Sequence, residues 1–185
     1  TDAYLPHDRK YELTRRMLEL LLKYRFPVFI STKTDGILRD IDLLKEIDQN
    51  AILPADLKNA SMRGCILSTS ISSMDESISR ALEPATLLPK QRLELIQHLK
   101  KEGFLAGVNA IPVLPFITDT EMELEQLINA AAQHDADYIL IGSLTLFGTD
   151  KADSKTLYYE FLRQRFPSLI PNYDQLYGNA YSPPF

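Results

Sequence analysis

The stretch Val28-Phe29-Ile30-Ser31-Thr32 is a short run of mostly apolar residues that starts directly after Pro27 and is followed by a turn at Asp35-Gly36. A run of this length and composition between turn residues predicts a buried strand. Three more runs of the same kind follow it along the chain, at residues 65–71, 104–113 and 138–141. Segments with apolar residues at helical spacing separate these runs. Four apolar strands separated by helices predict βαβ units with a parallel sheet, and therefore the α/β class.

The pattern fits two architectures, an open doubly wound sheet and a segment of a (β/α) barrel. Both bind ligands at the carboxyl ends of their strands, so the residues that follow each strand are candidates for a site. Lys33 follows the first strand, Ser70 lies in the second, and Asp2 precedes the first helix. A lysine and a hydroxyl suit a ligand carboxylate and an aspartate suits an amine, so the three favour a zwitterionic amino-acid ligand. The alternative is a solvated loop lysine beside hydroxyls that satisfy the backbone.

Composition argues against several other kinds of protein. The 185 residues carry a net charge of −5 at pH 7, which does not favour broad electrostatic binding of nucleic acid. No apolar run reaches the ~20 residues of a membrane span, so no membrane partner is expected. Cys65 is the single cysteine, so the chain forms no internal disulfide and fits a reducing, cytoplasmic compartment. The sequence lacks the phosphate-binding glycine motifs and the GxSxG nucleophile motif.

A set of short motifs runs in order from Thr1 to about Pro167. The motifs are Thr1-Asp2-Ala3-Tyr4-Leu5-Pro6, Thr14-Arg15-Arg16-Met17-Leu18-Glu19, Pro27-Val28-Phe29-Ile30-Ser31-Thr32-Lys33-Thr34, Leu38-Arg39-Asp40-Ile41-Asp42-Leu43-Leu44, Leu82-Glu83-Pro84, Ile111-Pro112-Val113-Leu114-Pro115, and Phe161-Leu162 with Phe166-Pro167. Together they resemble the radical S-adenosylmethionine (SAM) proteins around spore photoproduct lyase, which are often described as DNA repair photolyase-like. The ordered set carries the resemblance, since no single motif is decisive.

The resemblance implies a partial (β/α) barrel over residues 1–167, with its first strand and cluster loop missing, and an irregular C-terminal tail at residues 168–185. In this family SAM lies across the strand ends beside a [4Fe–4S] cluster. The cluster reduces the sulfonium and releases a 5′-deoxyadenosyl radical, while the protein binds and orients the cofactor. The partners implied are SAM, a reductant such as flavodoxin or ferredoxin, and an unknown substrate, for which a nucleic-acid lesion is one candidate.

The resemblance also implies a role for individual residues. It places the SAM amino group at Asp2 and the SAM carboxylate at Lys33 and Ser70. It places the ribose and adenine at Asn109 and Pro112. The backbone of Ile141 and Gly142 would also contact the adenine. The pair Glu83 and Arg92 is interpreted instead as an ion pair at a helix end or in a loop.

The sequence departs from the family in one respect. The family holds its cluster with CxxxCxxC after the first barrel strand, and Cys65 alone cannot supply three thiolates. We therefore expect that motif to precede Thr1 in a longer parent and this chain to be inactive alone. A barrel without its first strand has an exposed edge, which predicts self-association.

Two alternatives remain open. The first is a cluster-free SAM- or small-molecule-binding module or scaffold with the same barrel. The second is an aldolase-type enzyme with Lys33 as a Schiff-base nucleophile.

Overall fold

The structure is a computed structural model that describes residues 2–59, 63–178 and 180–182. Its centre is a parallel sheet in the order β1-β2-β3-β4, so neighbours in sequence are neighbours in space. The strands are β1 Val28–Thr32, β2 Cys65–Ser70, β3 Leu105–Val113 and β4 Ile139–Ser143. The α/β class and the four parallel strands predicted from the sequence are confirmed. Within the described residues the sheet is open, with β1 and β4 as its edges, so a barrel is not formed.

Helices precede, connect and follow these strands. They are α1 Asp8–Tyr11, α2 Leu13–Lys23, α3 Ile41–Asn50, α4 Ala55–Asn59, α5 Glu76–Leu82, α6 Pro89–Lys101, α7 Glu121–Gln133, α8 Ser154–Arg165 and α9 Ile170–Tyr177, with 3-10 turns at Asp35–Asp40 and Pro167–Leu169. Side-chain caps fix two of the starts. The carboxylate of Asp75 accepts the first free N–H groups of α5, and the hydroxyl of Thr120 accepts one from α7. None of these helices is both long and apolar enough to cross a membrane.

Alternation along the strands gives the sheet one apolar face. Ile30, Leu67 and Val108 point to this face and are buried. They form one cluster with Leu44 of α3 and Ile96 of α6, and α2 and α7 contribute to the same cluster. This sheet face and the four helices packed on it form the main hydrophobic core of the molecule.

The opposite face of the sheet has a different character. Ser31, Ser68 and Asn109 lie on it towards the carboxyl ends of their strands. Phe29 and Leu140 lie on it as well, and about half of each side chain is exposed (54% and 47%). This second face therefore combines a polar cluster with exposed apolar side chains.

The C-terminal segment corrects one prediction. Residues 168–185 were expected to be irregular, but Ile170–Tyr177 is an α-helix. Pro171 is tolerated because it lies in the first turn, where its missing N–H has no intrahelical partner to lose. Tyr173 and Tyr177 are four residues apart, share one face and are buried in a second cluster with Leu144 and Leu162. The helix exists because this second cluster, built on the loops after β3 and β4, buries that face.

Candidate functional site

A polar cluster joins the carboxyl halves of three neighbouring strands. Ser31 of β1 lies opposite Ser68 of β2, and Ser70 of β2 lies opposite Asn109 of β3. The Asn109 amide Nδ2 donates to the Oγ atoms of Ser31 (3.0 Å) and Ser68 (3.1 Å), and Ser31 Oγ is 3.2 Å from Ser70 Oγ. The structure thus brings the predicted Ser70 and Asn109 into one hydrogen-bonded group. Parallel pairing in register is the reason, because it sets these side chains on one face at one end of the sheet.

The other end of the Asn109 amide is not satisfied. Its Oδ1 is buried and has no hydrogen-bond partner among the described residues. A buried acceptor without a donor is unfavourable, so this atom is suited to accept from a ligand hydroxyl or amine, or from a water.

Tyr138 lies beside the cluster against Gly107, where a Cβ would come within 2.6 Å of the ring. Burial raises the pKa of the Tyr138 hydroxyl, so Tyr138 stays neutral. The hydroxyl donates a hydrogen bond to the carbonyl of Leu67.

Lys33 is part of a row of three charged side chains, Lys33, Glu83 and Arg92, next to the carboxyl ends of β1 and β2. Its Nζ lies 2.8 Å from Oε1 of Glu83, and Oε2 of Glu83 lies 2.6 Å from Nη2 of Arg92. Arg92 also donates to the carbonyls of Ser70 (2.6 Å, from Nη1) and Leu87 (2.7 Å, from Nε). The ion pair between Glu83 and Arg92 is confirmed, and the structure adds that it connects Lys33 to the end of β2.

Sequence reasoning missed how deeply Arg92 is buried, since its side chain is only 1% exposed. A signal was present in the sequence. Arg92 falls on the apolar stripe of α6 with Ile96 and Leu99, at positions i, i+4 and i+7. An arginine in such a stripe must have partners for its donors, because an unpaired buried charge is strongly unfavourable.

Asp2 is placed beside Lys33 as predicted, but most of its acceptor capacity is already used. Its Oδ1 accepts from the N–H of Tyr4 (2.8 Å) and the hydroxyl of Thr32 (2.7 Å), and its Oδ2 accepts from the N–H of Lys33 (2.7 Å). A carboxylate offers about four acceptor sites, so roughly one remains. Asp2 therefore ties the N-terminal segment to the end of β1 and keeps room for one further donor on Oδ2.

Pro112, Ile141 and Gly142 form a separate group on the β4 side of the sheet. The Ile111–Pro112 peptide is cis, and the register between β3 and β4 shifts there. A Cβ on Gly142 would come within 2.9 Å of the Ile111 side chain, so a larger residue there would force that side chain to shift. Ile141 is 65% exposed. Pro112 is in β3 and Ile141 and Gly142 are in β4, so they lie two and three strands away from Lys33 at the end of β1, with the Asn109 cluster between them.

The residues of this chain do not fit an iron–sulfur cluster. Cys65 is buried at the start of β2 on the helix-covered face, and burial raises the pKa of its thiol to about 12. One buried cysteine cannot supply the three thiolates that such a cluster requires. In the part of the chain that the structure describes, no group of three or more His, Cys, Asp or Glu residues is arranged to hold a metal ion.

Relatives of this chain occur in several organisms. An uncharacterized protein of Mycobacterium tuberculosis is 28% identical over 185 residues, which is 100% of this chain and 50% of the relative. An uncharacterized protein of Acidianus two-tailed virus is 28% identical over 141 residues, which is 75% of this chain and 42% of the relative. An uncharacterized protein of Methanocaldococcus jannaschii is 25% identical over 121 residues, which is 65% of this chain and 40% of the relative. The chain spans about half the length of the curated relatives it matches or less. No family model and no solved structure matches it significantly.

Proposed function

We propose that this chain is the SAM-binding part of a radical SAM enzyme of the spore photoproduct lyase type. The observation that carries the proposal is the polar group at the carboxyl ends of β1, β2 and β3. A cation (Lys33), an anion (Asp2), a hydroxyl (Ser70) and an amide (Asn109) lie within one connected network there. Parallel α/β sheets bind their ligands at this end of the strands.

The strand order supports a barrel segment over a doubly wound sheet. In a doubly wound sheet the order reverses at a switch point and helices cover both faces. Here the order is sequential, and α2, α3, α6 and α7 all join the core on one face. A (β/α) barrel has this arrangement, with its inner face free of helices. We therefore propose that residues 1–167 form part of such a barrel.

The geometry supports a distinct contact for each part of SAM. Lys33 and the Ser70 hydroxyl suit the carboxylate, and the remaining acceptor site of Asp2 suits the amino group. The free Oδ1 of Asn109 suits a ribose hydroxyl. The adenine would then extend towards β4, past Pro112 to the backbone of Ile141 and Gly142. The zwitterionic end and the base would thus span the sheet from β1 to β4.

The cluster and the radical chemistry belong to the proposal only for a longer protein. Cys65 alone cannot supply three thiolates, so the cluster would need cysteines from outside this sequence, and no step through the cluster is assigned to these 185 residues. A flavodoxin or ferredoxin as reductant and a nucleic-acid lesion as substrate are proposed on the family resemblance alone. The net charge of −5 provides no general attraction to nucleic acid.

The lack of a thiolate set favours one alternative, a cluster-free module that binds SAM or another small molecule. Both readings require ligand binding, and only the first requires cleavage. Anaerobic reconstitution of a longer protein with iron, sulfide and reductant separates them. Release of methionine and 5′-deoxyadenosine supports the radical enzyme, whereas binding of SAM without cleavage supports the module.

A Schiff-base role for Lys33 is less well supported. Such a lysine must be an uncharged amine, which burial or a neighbouring cation usually provides. Lys33 instead has the Glu83 carboxylate 2.8 Å away. Trapping with borohydride in the presence of candidate carbonyl substrates tests this role, and a covalent adduct at Lys33 would favour it over SAM binding.

Equilibrium dialysis of the chain against radiolabelled SAM tests the proposal. We expect Lys33→Met to weaken binding by about tenfold or more, because the ligand carboxylate loses its charged partner. Lys101→Met, at an exposed position in the last turn of α6, is the control and should bind as the wild type does. Absence of saturable binding by the wild-type chain, or equal affinity in Lys33→Met, would contradict the proposal.

A further inference from the structure

Glu83 lies between two cations that differ in their surroundings. Its Oε1 faces the Lys33 ammonium at 2.8 Å, and its Oε2 faces the Arg92 guanidinium at 2.6 Å. The Lys33 side chain is 29% exposed, that of Glu83 14%, and that of Arg92 1%. The three charges therefore run from a solvent-accessible end at Lys33 to a fully buried end at Arg92.

The buried end is fixed by several bonds. Besides Glu83, Arg92 donates to the carbonyls of Ser70 and Leu87 and to the hydroxyl of Thr86. These groups come from the end of β2 and from the loop before α6, so Arg92 cannot leave without breaking all of them. Glu83 is itself the C-cap residue of α5, and its N–H donates to the carbonyl of Ser79. The Glu83 carboxylate is thus held on Arg92 whether or not Lys33 contacts it.

The accessible end is free to exchange. A lysine ammonium has three donors on a flexible stem. The Lys33 ammonium pairs with Glu83. The backbone of Lys33 is fixed separately, because its N–H donates to the Asp2 carboxylate and its carbonyl accepts from the N–H of Leu87. Its side chain can therefore reorient about a fixed backbone, while Arg92 holds the main-chain carbonyl of Ser70 at the end of β2.

We propose that Glu83 is an internal competitor for the ligand carboxylate. Without ligand, Glu83 neutralises Lys33; with ligand, Lys33 moves to the ligand carboxylate and Glu83 stays paired with Arg92. One carboxylate replaces another at the ammonium, so no charge is left unpaired. Glu83 then lowers affinity for carboxylate-bearing ligands and leaves affinity for ligands without a carboxylate unchanged. This inference rests on the proposed binding of SAM at Lys33.

Glu83→Gln tests the inference, because it removes the charge and keeps an oxygen for Arg92. Equilibrium dialysis is expected to give tighter SAM binding, by about fivefold or more, as for a typical coupling between linked sites. Binding of 5′-methylthioadenosine, which has the adenosyl group without the carboxylate, should not change. Glu76→Gln is the matched control, since Glu76 is exposed on the same helix and pairs with Arg80.

A second variant and a double mutant separate competition from a purely structural role. Glu83→Asp keeps the charge on Arg92 but withdraws it from Lys33, so SAM should again bind more tightly. In the Lys33→Met background, Glu83→Gln should have no effect on SAM. Circular dichroism and urea midpoints of the variants establish that each is folded.

The outcomes distinguish failure of this inference from failure of the proposed function. If the wild-type chain binds neither SAM nor 5′-methylthioadenosine, both are wrong. If the wild type binds SAM and the Glu83 variants bind it equally or less tightly, the inference alone is wrong. If both ligands bind more weakly in the variants, Glu83 is a structural residue and not a competitor.

Discussion

At the scale of single residues, Cys65 illustrates how burial sets chemistry. The thiol is fully buried where β2 begins, and burial raises its pKa from the ordinary value of 9.0 to about 12. The Asp48 carboxylate raises the pKa further, while Arg63 lowers it. Asp48 also accepts the N–H of Cys65 (2.9 Å), which anchors the start of the strand. Cys65 therefore packs as a small apolar residue of the main core cluster.

The raised pKa predicts a pH dependence of stability. The folded state binds the thiol proton more tightly than the unfolded state, so this contribution is complete below about pH 9 and is lost as pH rises towards 12. Between pH 9 and pH 10.5 the loss should reach about 2 kcal/mol. Urea unfolding of the wild type and Cys65→Ala measures it. The wild type should lose more stability over this interval, and equal slopes would contradict the prediction.

At the scale of elements, the short helix α5 (Glu76–Leu82) positions Glu83. The Asp75 carboxylate accepts from the N–H of Ser77 (2.7 Å) and of Ile78 (3.3 Å) at one end, and Glu83 is the C-cap at the other. A helix of seven residues has little intrinsic stability, so its cap and its packing decide whether it forms. The hydrogen bonds to Ser77 lower the pKa of Asp75, which therefore caps the helix as a carboxylate.

Removal of this cap should be measurable. We expect Asp75→Ala to lower the free energy of unfolding by about 1 kcal/mol, because two N–H groups lose their acceptor. Asp75→Asn keeps a capping oxygen and should cost much less. Urea unfolding compares the three proteins. An equal loss in both variants would mean that the charge of Asp75, and not its capping oxygen, stabilises the helix.

At the scale of the whole molecule, β1 is an open edge of the sheet. The N–H of Val28 donates to Gly64 on the β2 side, so alternation directs the main-chain groups of Phe29 and Ser31 to the free side. A cleft of about 490 Å³ lies beside this edge and is lined by exposed apolar side chains of α2, including Leu13 and Met17. Unpaired main chain next to apolar surface favours pairing with another chain.

We therefore expect the chain to self-associate through this edge. Phe29→Lys should reduce association, because a lysine at an edge strand opposes strand addition. Sedimentation velocity over a range of concentrations measures the effect, with Met122→Lys as a control at an exposed position on α7. A wild-type chain that remains monomeric at all concentrations would contradict the prediction.

The sequence alone determined the features that depend on local patterns. Apolar runs between turn residues located the four strands. Lys33 and Ser70 were placed at the strand ends because parallel strands bring their carboxyl ends to one edge. These predictions need only residues close together in the chain, which is why a single sequence was sufficient for them.

The tertiary structure decided what depends on distant partners. The sequence left open whether the sheet reverses its order, and only the pairing β1-β2-β3-β4 answers that. The helix Ile170–Tyr177 was missed because Tyr173 and Tyr177 donate to Pro115 and Leu144, which lie 58 and 33 residues earlier. The bond from Arg92 to Ser70 likewise joins residues 22 apart. Burial and hydrogen bonding of such groups arise only when separate elements pack together, and no local pattern encodes the partner.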